Sequence, residues 1–133
     1  MRKVWIIRVL LVLYLVAVAV LCFANFTKMP DVPRNIFGIP ADKLVHFAMF
    51  LPFPVLAFFS LEMNRFGVVK TLIIIVLLFG LGCLMAWGTE YYQGKLPYRT
   101  MDPADFKADR IALACGSVIT FIIGLFIHRK KNA

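Results

Sequence analysis

VVKTLIIIVLLFGLGCLMAWGTEYY, residues Val68 to Tyr92, decides the fold. Between Lys70 and Glu90 it contains no Asp, Glu, Lys or Arg. At about 1.5 Å of rise per residue, a helix of this length crosses a hydrocarbon layer about 30 Å thick. Inside lipid no water satisfies the backbone, so a lone segment that spans must bond internally, as a helix does. Three further apolar runs accompany it: Val4 to Phe23, interrupted only by Arg8 near its basic end, Leu44 to Leu61, and Phe106 to Ile127. The reading is an all-α protein, an integral membrane four-helix bundle forming a single domain over residues 1–133, with helices at about 4–24, 44–61, 68–92 and 106–127.

Composition supports this. Of 133 residues, 62% are hydrophobic, against 45–50% apolar in a typical soluble domain, and the mean hydropathy is +0.85. A domain this small buries too little of its surface to hide such an excess. The formal net charge is +8. The basic residues sit beside apolar runs, as in Met1-Arg2-Lys3, Arg65 to Lys70 and Arg129-Lys130-Lys131, which suits anionic lipid headgroups rather than nucleic acid. Cys22, Cys83 and Cys115 each fall within an apolar run, lack metal-ligand spacing, and read as small buried hydrophobes.

The first run exceeds the length of a signal-peptide core and is followed by Asn25-Phe26-Thr27-Lys28 rather than a small-residue cleavage site. We therefore expect an uncleaved helix with Trp5 at the interface. A loop with Pro30, Pro33, Gly38 and Pro40 follows, and Pro52 and Pro54 predict a kink or local unwinding inside the second helix. Short turns make successive helices antiparallel. The strongly basic termini place both ends in the cytoplasm.

Connectivity alone then brings the polar residues to one end. Asp42, Lys43 and His46 open the second helix, Glu90 and Gln93 close the third, and Arg99, Asp102, Asp105 and Asp109 lie in the next loop and the first turns of the fourth. Asp42 and His46 share a face at i,i+4, as do Glu90 and Gln93 at i,i+3. Small residues continue the stripes below them: Ala86 and Gly82 under Glu90, and Ala112, Gly116, Thr120 and Gly124 under Asp109. Such rows let membrane helices approach closely, whether inside the bundle or in a homodimer. Ionisable groups at membrane depth face a partner or a cavity, so we expect a polar pocket capping the bundle.

Several of these residues also have plain structural roles open to them. Asp102-Pro103-Ala104-Asp105 is a good helix start, with an N-cap acid, proline at the first position and an acid in the first turn. Asp42 fits an N-cap too. Lys95, Lys107 and Arg110 can snorkel to headgroups, and Tyr91, Tyr92 and Tyr98 suit an aromatic belt. Glu90 resists such readings, because an acid at a helix C-terminus opposes the dipole. It needs a partner, for which His46 and Arg99 are the candidates. Chemically the set supports three readings: histidine and carboxylates as general acid and base, a divalent cation held by oxygen and nitrogen, or a phosphate held bidentately by Arg99. No zinc-protease, P-loop or serine-elbow motif is present, and no cofactor or metal is assigned.

Asp42-Lys43-Leu44-Val45-His46-Phe47, Glu90-Tyr91-Tyr92-Gln93, Arg99 followed by Asp105, and Gly116 together resemble the VanZ-like family of membrane proteins. The resemblance runs from about Asp42 to Gly116. Asp109 and Ala112 depart from it, standing where asparagine and glycine are expected. It implies a bacterial envelope protein, multi-pass in the cytoplasmic membrane, related to a teicoplanin-resistance protein. Two functions follow as expectations. One is a binding protein whose pocket, with Asp42, Lys43, Gln93, Arg99 and Asp109, takes a lipid headgroup, a lipid-linked cell-wall intermediate or a lipoglycopeptide. The other is an enzyme acting on such a lipid, with Glu90 or Asp105 as base and His46 as acid or base. A pore is disfavoured, since the stripes below the cluster are Gly, Ala and Thr.

Overall fold

A computed structural model describes residues 2–24, 35–62 and 67–132. The loop prolines Pro30 and Pro33 and the basic-turn residue Arg65 lie outside the described residues. The elements are α1 (Arg2–Phe23), β1 (Asn35–Ile36), β2 (Ile39–Pro40), α2 (Ala41–Phe50), α3 (Phe53–Ser60), α4 (Val68–Gln93) and α5 (Pro103–Asn132). Taking α2 and α3 together as one span, four helical segments among the described residues are long and apolar enough to cross a membrane.

The disruption expected at Pro52 is a kink: α2 gives way to α3 there, while Leu51 and Pro52 both keep right-handed helical dihedrals. Pro52 has no N–H, and its ring would clash with the carbonyl four residues earlier. The chain therefore closes α2 at Leu51 and restarts α3 at Phe53, with Pro54 in its first turn. Helix α5 begins at Pro103, before its apolar run, and continues through the basic tail, whose Arg129, Lys130 and Lys131 complement the C-terminal dipole. The predicted loop also contains a small antiparallel hairpin, Asn35 opposite Pro40 and Ile36 opposite Ile39. Its tip residues Phe37 and Gly38 have φ of 52° and 77°, the two positive values that a type I′ turn demands. Phe37 is 99% exposed there.

The small-residue stripes serve packing within the chain. Gly82, Ala86, Ala112, Gly116, Thr120 and Gly124 are all buried. A Cβ on Gly82 would meet Leu113 Cδ2 at 2.6 Å, and one on Gly116 would run into the Leu51 carbonyl at the α2–α3 kink. Phe50, Phe58 and Leu113 fill the centre. Cys22 is buried as expected, but Cys83 is only partly so and Cys115 is exposed. The correction has a simple cause: Cys115 lies on the face of α5 turned away from the bundle, beside exposed Ile111, Val118 and Ile119.

Helix α1 is the least embedded. Only Val18 and Cys22 are buried along it. Val18, Cys22, Tyr14 and Phe23 join the apolar core, and polar contacts add to them. The Arg8 Nε–H donates to the Ser60 carbonyl at 3.1 Å, so the one charge inside the first span closes the end of α3. The Tyr14 hydroxyl donates to the Met49 carbonyl.

Candidate functional site

The start of α2, the end of α4 and the start of α5 meet at one end of the bundle, and two linked clusters form there. The first centres on Lys43. Its Nζ lies 2.9 Å from Asp42 Oδ2 and 2.5 Å from Asp102 Oδ2, and also bonds Asp105 Oδ1. The second centres on His46. Its Nδ1 lies 2.9 Å from Asp109 Oδ1 and 3.7 Å from Glu90 Oε1, and its Nε2 lies 3.5 Å from Asp105 Oδ2. Asp105 thus touches both centres, with one oxygen on each. Glu90 is 1% exposed and Asp109 0%. Burial of carboxylates this complete is costly unless they are paired or bind a cation.

Of the two partners expected for Glu90, the structure sets His46 beside it. Its other oxygen, Oε2, accepts the Asp102 backbone N–H at 3.3 Å. This bond ties the end of α4 to the start of α5. Gln93 and Arg99 do something the sequence reading missed. Gln93 Nε2–H donates to the Cys22 carbonyl at 2.9 Å, the Tyr98 hydroxyl to the Phe23 carbonyl at 2.6 Å, and Arg99 to the carbonyls of Leu21 and Ala24 at 2.7 and 3.1 Å. The last turn of α1 has no basic residue of its own, and these side chains satisfy the carbonyls that every helix end leaves without an intrahelical partner. The only hint in the sequence is connectivity, which ends α1 at the same level as Gln93 and Arg99. Tyr98 therefore leaves the expected aromatic belt to act as a cap, while Tyr91 stacks on Trp87 and carries Lys95 4.4 Å above its ring.

Asp102 is an N-cap as expected: its Oδ1 accepts the Ala104 N–H at 2.9 Å. Asp42 is not. The N-cap of α2 is Pro40, with no side-chain bond. Asp42 lies one position inside the helix, and Lys43 claims its carboxylate. The Lys43 ammonium, followed by the Ala104 N–H, holds the Asp102 carboxyl below the usual carboxylate range. A depressed acid stabilises the fold above its unfolded value, about 3.9, and that contribution is lost as the pH falls through the folded value. Asp102→Asn is therefore expected to melt below wild type at pH 7, with the gap closing under acid. A gap unchanged at pH 3 would refute the ion pair. Asp102→Ala, which also deletes the cap, should cost a further amount of up to about 1 kcal/mol.

Beside the clusters lies a cleft of about 210 Å³ lined by Asp42, His46, Gln93 and Arg99 on its polar side and by Leu21, Val45 and Met49 on its apolar side. The apolar wall was not foreseen. It comes from α2 and the last turn of α1. The structure thus gathers every candidate residue at one end: Asp42, Lys43, Asp105, His46, Glu90 and Asp109 within the two clusters, and Gln93 and Arg99 across the cleft from them.

Fold and site together define a class: a small multi-helix protein with spans of membrane length and a buried ionisable cluster at one end. No family model matches the chain, and neither the curated proteins nor the solved structures contain a match to it.

Proposed function

We propose that this is a multi-pass protein of a bacterial cytoplasmic membrane, with both termini inside. Its polar end recognises a lipid-linked polar ligand, a cell-wall intermediate or lipoglycopeptide, and so alters susceptibility to glycopeptides such as teicoplanin. The observation that carries this reading is the two-sided cleft. Leu21, Val45 and Met49 offer an apolar wall to a lipid stem, while Asp42, His46, Gln93 and Arg99 offer donors and acceptors to its headgroup. Such a site belongs where hydrocarbon meets water. Phe37, fully exposed at the hairpin tip, suits the same interface, where aromatic rings are favoured. The VanZ-like resemblance of the residues lining this end supports the link to teicoplanin.

The test is teicoplanin susceptibility of a sensitive bacterium expressing the chain, with membrane levels measured. Wild type is expected to protect, and an equally abundant Val45→Asp variant, which makes the apolar wall of the cleft polar, is expected not to. If wild type gives no protection, the resistance reading falls.

A second reading, acid–base catalysis on the bound lipid, is favoured by one observation. His46 has Asp109 at one ring nitrogen and Asp105 at the other, an arrangement that orients an imidazole for proton transfer. Undiminished protection by both Glu90→Gln and Asp105→Asn would leave binding as the function.

A further inference from the structure

The two clusters differ in how their charge is balanced. Asp42, Asp102 and Asp105 converge closely enough to hold a cation, and the chain supplies one, since the Lys43 ammonium already bonds all three. His46, Glu90 and Asp109 converge in the same way, with one potential ligand atom from each lying within 4.8 Å of the others. There the only cationic group within salt-bridge distance, among the described residues, is His46 itself. Glu90 Oε1 and Asp109 Oδ2 are buried with no hydrogen-bond partner among the described residues. Within the two clusters the carboxylates of Asp42, Glu90, Asp102, Asp105 and Asp109 gather around Lys43 and His46. Leaving buried carboxylate oxygens unbonded is costly, and a divalent cation supplies positive charge between Glu90 and Asp109 and a partner for Glu90 Oε1.

We propose that His46 Nδ1, Glu90 and Asp109 form a binding site for a divalent cation of the Zn²⁺ or Mn²⁺ type. The inference rests on the reading of this cluster as a binding site and gives it a ligand. The donor set selects the metal class: imidazole nitrogen with two carboxylates suits Zn²⁺ and Mn²⁺, whereas Ca²⁺ takes six to eight oxygens. The spacing also fits. Ligands about 2.1 Å from a tetrahedral ion stand about 3.4 Å apart, and His46 Nδ1 lies 2.9 Å from Asp109 and 3.7 Å from Glu90. The far side of the ring fits as well. A histidine that ligates through one nitrogen presents the other N–H to a carboxylate, which sets its tautomer. Here His46 Nε2 faces Asp105, and Lys43 holds Asp105 in turn. Three protein ligands leave a coordination position open, as in metal sites that bind a further molecule. Since His46 lines the cleft, a headgroup oxygen can take that position. An anionic headgroup is thereby accommodated beside the carboxylates of the two clusters.

The probe is Mn²⁺ titrated into purified full-length protein in detergent, with any tag removed, followed by the loss of the free-ion EPR signal. Wild type is expected to take up about one ion per chain and to release it to Zn²⁺. Glu90→Gln and Asp109→Asn should each weaken uptake by more than the about 10–100-fold typical of losing an outer partner. Glu62→Gln, an acid at the opposite end of the bundle after α3, should bind as wild type does. Because the ligand variants can lose their fold, the bound state is also read directly: pulsed EPR of Mn²⁺-loaded His128→Ala protein should show coupling to an imidazole nitrogen, which only His46 can then supply. Absence of uptake by wild type, equal uptake by folded ligand variants, or a bound ion without nitrogen coupling overturns the site. None of these results bears on drug protection, so the cation and the lipid-ligand reading stand or fall separately.

Discussion

His46→Ala is expected to lower the stability of the folded protein by about 3–5 kcal/mol, the usual cost of deleting one member of a buried charged group. The imidazole is the common neighbour of Glu90, Asp105 and Asp109, and these carboxylates come from α4 and α5 while His46 comes from α2. Its removal leaves buried acids facing one another across the seam of three helices. The loss is one of charge balance more than of volume, which gives the prediction a second part. Asp109→Asn introduced into His46→Ala should recover a measurable fraction of the deficit, because it removes the fully buried charge that His46 had partnered. Thermal melting in detergent, followed by the fraction of protein that stays monodisperse, tests both. If His46→Ala melts within about 1 kcal/mol of wild type, or the second substitution only adds damage, the cluster is not held by charge pairing.

The second large effect lies at Gly116. Alanine in a helix interior is ordinarily better than glycine by about 1 kcal/mol. At Gly116 the sign reverses. The added methyl would collide with the Leu51 carbonyl and come within 3.1 Å of the Pro54 ring. Neither obstacle is a flexible side-chain end, so α5 must move away from the α2–α3 kink. Overpacking of this kind costs about 1–3 kcal/mol, and Gly116→Val should exceed Gly116→Ala. Because α5 also carries Asp105 and Asp109, the displacement should disturb the polar clusters well above it. Gly80 and Gly88 provide the control, since a methyl at either meets nothing within 4 Å. Gly80→Ala and Gly88→Ala are expected to be neutral or stabilising. Equal melting of all three alanine variants would sink the packing argument.

These residues also show where sequence reading succeeds. The runs at Val4–Phe23 and Val68–Tyr92 match α1 and α4 to within a residue or two at each end, because an apolar run this long, with turn-forming residues only outside it, reads as one helix and little else. The convergence of Asp42, Glu90 and Asp105 was legible for a similar reason: antiparallel connection leaves no other end for them to occupy. The pairing within the cluster was not legible. Asp42 and His46 share a stripe of α2, yet Asp42 is exposed and bonds Lys43 while His46 turns inward to Asp109. Which acid meets which base depends on how far α2 is rotated against α5. That rotation is set by the kink at Pro52 and the contact of Leu51 with Gly116, which are tertiary facts. The caps on α1 were hidden more deeply, since their acceptors are backbone carbonyls and every residue has one.

Those caps bear on how the chain is assembled during synthesis. Helix α1 is made before the other described helices, and the groups that close its last turn, Gln93, Tyr98 and Arg99, are made more than seventy residues later. Its other ties, Tyr14 to Met49 and Arg8 to Ser60, also await later segments. For most of translation α1 is a helix with an open end and little to lean on. At about 5–20 residues per second, several seconds separate its appearance from its completion. Helix α1 therefore waits on groups from α2, α3, α4 and the loop that follows α4.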